Sequence, residues 1–166
     1  MAQPHILSFI LQVRPLILPS LKKELVKGLL TMDVDDRALV YTHKLPLLPL
    51  SQGQVVAQIA NYSTPEGQTL RKALRDMIQI VGNEDEEFKK TIFMVIDHFS
   101  LKTDDYALRQ GLQFDMEYDV RCEFRVCAIG DRCDLAQDAC DTHPNCSFIQ
   151  LKDISSLGDY ILSVKE

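Results

Sequence analysis

Two runs of this chain, HILSFILQV (5–13) and TIFMVID (91–97), are apolar without the every-second-residue alternation of a half-exposed strand. A strand of that composition must be covered on both faces, so helices have to pack above and below it. The segments between supply such helices. Leu21, Leu25, Val26, Leu29 and Leu30 form one apolar stripe, and Val55, Val56 and Ile59 begin another. Leu70, Ala73, Leu74, Met77, Ile78 and Val81 form a third, which Gly82 closes. Further strands are expected at 36–43, 44–50, 120–130 and 147–151. Further helices are expected over 104–118 and after Ser155, with a short helix or turn at 134–140. This alternation predicts an α/β fold: a three-layer, doubly wound, mostly parallel sheet with helices on both faces and one antiparallel edge strand. The two prolines of KLPLLPL (44–50) suit an edge.

Local signals mark where the helices start. Ser20, Ser51, Thr64, Thr103 and Ser155 stand as N-caps, and Pro65 after Thr64 suits a first helical turn. NEDEEFKK (83–90) reads as a charged surface loop.

With 166 residues the chain is expected to be one domain, 1–166, large enough to bury a core without staples. Its formal net charge is -6 and its basic residues are scattered, which argues against a nucleic-acid surface. No apolar run approaches the roughly 20 residues that span a bilayer. The first residues lack a basic segment before the apolar stretch, and Arg14 with two prolines interrupts it, so no export signal is read there. An intracellular location, cytoplasm or nucleus, is therefore expected, with the five cysteines mostly as thiols.

Ligand sites in such sheets form beyond the carboxyl ends of the strands, near a switch in strand order. Residues 12–16, 62–67 and 97–100 belong together on that basis. Their strings resemble a von Willebrand factor A domain. STPEGQTLRKAL matches that family's loop Thr, KKTIFMVIDHFS its central strand ending in Asp, VCAIGD the next strand and turn, and FIQLKDISSLGDYIL the last strand and helix. The resemblance implies a metal-ion-dependent adhesion site, built from D-x-S-x-S after the first strand, the loop Thr, and the Asp. By position the Thr maps to Thr64 and the Asp to Asp97, but the first motif falls on Gln12-Val13-Arg14-Pro15-Leu16 and keeps no ligand residue. Gln12 offers a neutral carbonyl, Leu16 no ligand atom, and Arg14 a positive charge where the cation would sit. No metal or other cofactor is expected, and Thr64 and Asp97 are vestigial ligands. Arg14 either takes the cation's electrostatic place and pairs with Asp97, or points to water. Thr64 reads chiefly as a helix cap.

The cysteine-rich stretch brings Cys133, Cys140, His143 and Cys146 near one another, but without the close C-x₂₋₄-C pairs of zinc sites. Thiols are expected there, and Cys122 and Cys127 should face opposite sides of their strand. Catalytic signals are sparse: there is no nucleophile elbow, phosphate-cradling Gly loop or H-E-x-x-H. His98 beside Asp97 would point away from it in a strand, so no dyad is implied. The resemblance implies noncatalytic protein–protein binding, as a scaffold or adaptor subunit of an intracellular multiprotein complex. The binding surface would be the strand-end edge at Arg14, Thr64, Asp97 and His98, or the THKLPLLPL edge (42–50). The rivals are a Mg²⁺-dependent ligand-binding domain and an enzyme of another doubly wound family using Asp97 and His98.

Overall fold

The computed structural model describes residues 3–42, 47–64, 67–115, 122–130 and 133–165. Five strands form one parallel sheet: β1 (His5–Gln12), β2 (Arg37–Val40), β3 (Lys89–Ile96), β4 (Cys122–Ile129) and β5 (Cys146–Leu151), in the order β2-β1-β3-β4-β5. Among the described residues, six α-helices accompany them: α1 (Leu18–Gly28), α2 (Gln52–Ala60), α3 (Leu70–Gly82), α4 (Asp104–Gln110), α5 (Leu135–Cys140) and α6 (Leu157–Lys165), the last following β5.

Strand alternation sorts the core into two halves. Ile6, Ile10, Ile92, Met94, Phe124 and Val126 pack against α3, α4 and α5. Leu7, Phe9, Phe93, Val95, Cys127 and Ile129 pack against α1, α2 and α6. Phe9 and Phe93 stack across β1 and β3 with ring centroids 5.2 Å apart. Both central strands are thus buried on two faces, as their uninterrupted apolar runs require. Cys122 and Cys127 fall in opposite halves, as their odd spacing predicts.

Several local expectations need correction. The helix at 64 starts later: Thr69, not Thr64, is the N-cap, its Oγ1 accepting from Lys72 N at 3.3 Å. Gly67 has φ +73, a left-handed conformation that no α-helix passes through. Pro65 lies outside the described residues. Helix α1 starts at Leu18, before Ser20, because a 3₁₀ turn at Pro15–Ile17 runs directly into it with proline in each first turn. Asp153 rather than Ser155 caps the last turn, its Oδ1 accepting from Ser155 N at 2.8 Å. Thr103 holds the N-cap position of α4 without a side-chain cap bond. That helix passes into a π-helical turn at Gly111–Asp115, and 116–121 lie outside the described residues. Ser51 begins α2 as expected, with its N–H donating to Gln54 Oε1 at 3.2 Å.

Among the described residues the antiparallel edge strand is reduced to one bridge, Ala38 with Leu50. Pro49 has no N–H to extend the pairing. Leu47 is buried, Leu50 packs against the core, and Leu48 is exposed, so two of the three described leucines of that stretch are already used; residues 43–46 are not described. No helix is long and apolar enough to cross a membrane among the described residues.

Candidate functional site

The chain leaves β1 toward β2 on one side and later returns to place β3 on the other, so the carboxyl ends of β1 and β3 flank the switch in strand order. Gln12 pairs with Ile96 in register, which sets residues 13–14 beside 97–98. Asp97, 6% exposed at its side chain, is the acceptor around which this edge is built. Its Oδ2 accepts from Arg14 N at 3.0 Å and Arg14 Nε at 3.3 Å, and its Oδ1 lies 2.5 Å from His98 Nδ1. An ionised carboxylate only accepts, so His98 donates from Nδ1. Burial pushes the Asp97 carboxyl up, but the Arg14 N–H, His98 and the Arg14 side chain outweigh it, and the net shift is downward.

The Asp97–His98 contact corrects the expectation that the two point apart. Strand β3 ends at Ile96, so the pair stands in a bend where the alternation no longer holds. A second network lies beside the first. Gln12 Nε2 donates to His98 O and to Asp104 Oδ2, both at 3.0 Å, and Ser100 N donates to the same Asp104 oxygen at 2.8 Å. Both partners of Gln12 are acceptors, so its amide nitrogen, not its carbonyl, faces the edge. Sequence reasoning missed Asp104. Its signal is the Ser100/Asp104 spacing, which lets the side chain close the turn that enters α4.

A cleft of about 740 Å³ opens at this edge between β1, the loop before α3, and α4. Thr64, Gln68, Lys102, His98 and Tyr106 are among its walls. Thr64 is thus at the predicted edge, exposed and not a cap. Leu16 is 90% exposed beside Arg14, and Leu101 and Tyr106 are exposed on the segment after β3. Arg14, Asp97 and His98 converge; Thr64 shares the cleft with His98. Among the described residues no three His, Cys, Asp or Glu side chains group as metal ligands, at this edge or in the cysteine-rich stretch.

No family model matches the sequence, and no characterised protein matches it at the sequence level. Solved structures do match. The VWA domain of SpRpn10 aligns with a TM-score of 0.66 at 9% identity, over 96% of this chain and 94% of that one. Manganese-loaded TRAP protein of Plasmodium vivax aligns at 0.64 and 13% identity, over 100% and 74%. The pilus adhesin SpaC of Lactobacillus rhamnosus GG aligns at 0.71 and 8% identity, over 99% and 30%. The fold is that of a von Willebrand factor A domain. This A-domain fold covers essentially the whole chain, which spans about half the length of the mussel byssus matrix protein PTMP1 and under a third of SpaC. At such identities the likeness concerns the fold alone.

Proposed function

We propose that this chain is a noncatalytic protein–protein interaction domain, a scaffold or adaptor subunit of an intracellular multiprotein complex, and that an arginine replaces the cation at its strand-end edge. One observation carries the reading: Arg14 puts a backbone N–H and a guanidinium on Asp97, while His98 takes the other oxygen. A hard divalent cation needs several oxygen ligands with free lone pairs. Here the buried acid Asp97 is already matched by donors, Gln12 presents N–H rather than oxygen, and Leu16 has no ligand atom. The residues do not fit Mg²⁺.

Recognition then rests on apolar anchors within a polar rim. Leu16, Leu101 and Tyr106 supply exposed apolar surface at the edge, and Arg14 (72% exposed at its side chain), Lys102 and His98 supply polar contacts. Similar folds include the Rpn10 VWA domain and a pilus adhesin, which is consistent with binding work. The Asp97–His98 pair beside a cleft is the observation that favours an enzyme. Against it, Asp97 is held by Arg14 and its side chain is almost wholly buried. The test is pull-down from the source cell with Leu16→Asp and Tyr106→Ala, using Leu30→Asp at the opposite edge as control. The edge variants are expected to lose the partner that the native chain and the control retain. Retention by all, or turnover lost in His98→Ala, contradicts the reading.

A further inference from the structure

The geometry points to a reversible disulfide between Cys140 and Cys146, a modification site remote from the strand-end edge. Cys140 ends α5 and Cys146 begins β5, and the turn DTHPN (141–145) brings the chain back between them. That turn is built by its own hydrogen bonds. His143 N donates to Cys140 O at 3.1 Å, Cys146 N to His143 O at 3.2 Å, and Asn145 N to His143 Nδ1 at 3.1 Å. The proximity of the sulphurs therefore follows from the local fold.

Cys146 Sγ lies 2.9 Å from Cys140 Sγ, to which it donates, and Cys140 donates onward to Ser147 O at 3.7 Å. A bonded pair stands at about 2.04 Å, so closure needs a movement of about 0.9 Å, within reach of side-chain rotation. The other sulphurs are directed elsewhere. Cys122 donates to Glu123 O and Cys133 to Ile129 O, while Cys127 lies in the opposite half of the core. Cys146 is half-buried beside exposed Thr142 and Pro144, whereas Cys140 is fully buried, so a small oxidant meets Cys146 first.

A low-molecular-weight disulfide such as glutathione disulfide is the oxidant. The Cys146 thiolate, its proton lost to water, attacks one glutathione sulphur, and one glutathione thiolate leaves. The Cys140 thiolate then attacks Cys146 Sγ and displaces the second. Two protein thiols lose two electrons and two protons, and one glutathione disulfide becomes two thiols. The hydrogen bond with Cys140, then burial, push the Cys146 thiol up, so this exchange is slow at neutral pH.

The experiment treats the full chain with glutathione disulfide, alkylates it in denaturant and maps the cysteines by mass spectrometry. The expected product is lighter by two hydrogens, keeps three of its five cysteines alkylatable, and carries a Cys140–Cys146 link. Its melting temperature rises by roughly 5 °C, because a loop is closed in the unfolded chain, and dithiothreitol reverses it. Cys140→Ser is expected to stop at a glutathione adduct on Cys146, and Cys146→Ser to give neither adduct nor link. Should Cys140→Ser fail to fold, the native map and Cys146→Ser decide. Five alkylatable cysteines after excess oxidant, or a link through Cys122, Cys127 or Cys133, overturns the proposal.

Discussion

At Asp97 a carboxylate with 6% exposure accepts from two atoms of Arg14 and one of His98. The donors are unequal in worth. Arg14 N–H is fixed by the backbone and loses its acceptor if the acid is removed, so Asp97→Ala is expected to cost about 1–3 kcal/mol in urea unfolding. The Arg14 guanidinium is 72% exposed and screened by water, so Arg14→Ala is expected to cost only about 0–1 kcal/mol. Its clearer readout is titration. Asp97 lies below its ordinary 3.8, so it stabilises the fold above that pH, and the contribution is lost as pH falls through the folded value. Arg14→Ala is expected to raise the Asp97 midpoint in a carboxylate NMR titration; an unmoved midpoint would show that the side chain contributes nothing there. Thr69→Ala is expected to cost about 1 kcal/mol as a lost cap, and Thr64→Ala close to none, by the same denaturation measurement.

Among the elements, α1 and α6 approach closely, and two glycines permit it. A Cβ on Gly28 would stand 2.7 Å from Ile161 Cβ, and one on Gly158 would stand 2.8 Å from Lys27 Cδ. At an exposed helix position Gly→Ala gains up to about 1 kcal/mol, but here the clash is with a buried β-branched atom that cannot swing aside. Gly28→Ala is therefore expected to destabilise, by about 1–3 kcal/mol, whereas Gly158→Ala, which meets the flexible end of a lysine, costs less. A stabilised Gly28→Ala in chemical denaturation would contradict the packing. The elements themselves were readable because their apolar periods are long and unmixed, as in β3 and α3. The ends were not, where competing signals sat side by side. Thr64 before Pro65 carries the cap signal in the sequence, but the positive φ at Gly67 keeps the helix from starting there and Thr69 caps it instead. Ser20 and Ser155 yielded to a proline-led turn and to Asp153. The Arg14–Asp97 meeting was legible from family position, but the Asp97–His98 contact was not, because it depends on the strand ending one residue earlier.

On the scale of the molecule, two ionic centres pin opposite ends of the sheet. Away from the Asp97 edge, Asp36 is 2% exposed and accepts from His5 N at 2.9 Å, Asp33 N at 2.8 Å and Lys165 Nζ at 2.5 Å, tying α6 to the start of β1. His5 is itself buried there, and burial, the largest influence, lowers its pKa below 6.5. Neutral His5 therefore stabilises the fold above that value, and stability is lost as pH falls through the folded value. Unfolding free energy is expected to drop as pH falls below about 6.5, and His5→Gln to flatten that drop; an equal slope in both would show that His5 is not its source. At the other edge, calorimetric titration of the native chain with millimolar Mg²⁺ tests the proposed replacement of a cation by Arg14. No saturable heat is expected from the native chain, and binding is expected once Gln12→Asp, Arg14→Ser and Leu16→Ser restore oxygen ligands. Saturable binding by the native chain, abolished in Asp97→Ala, would contradict it.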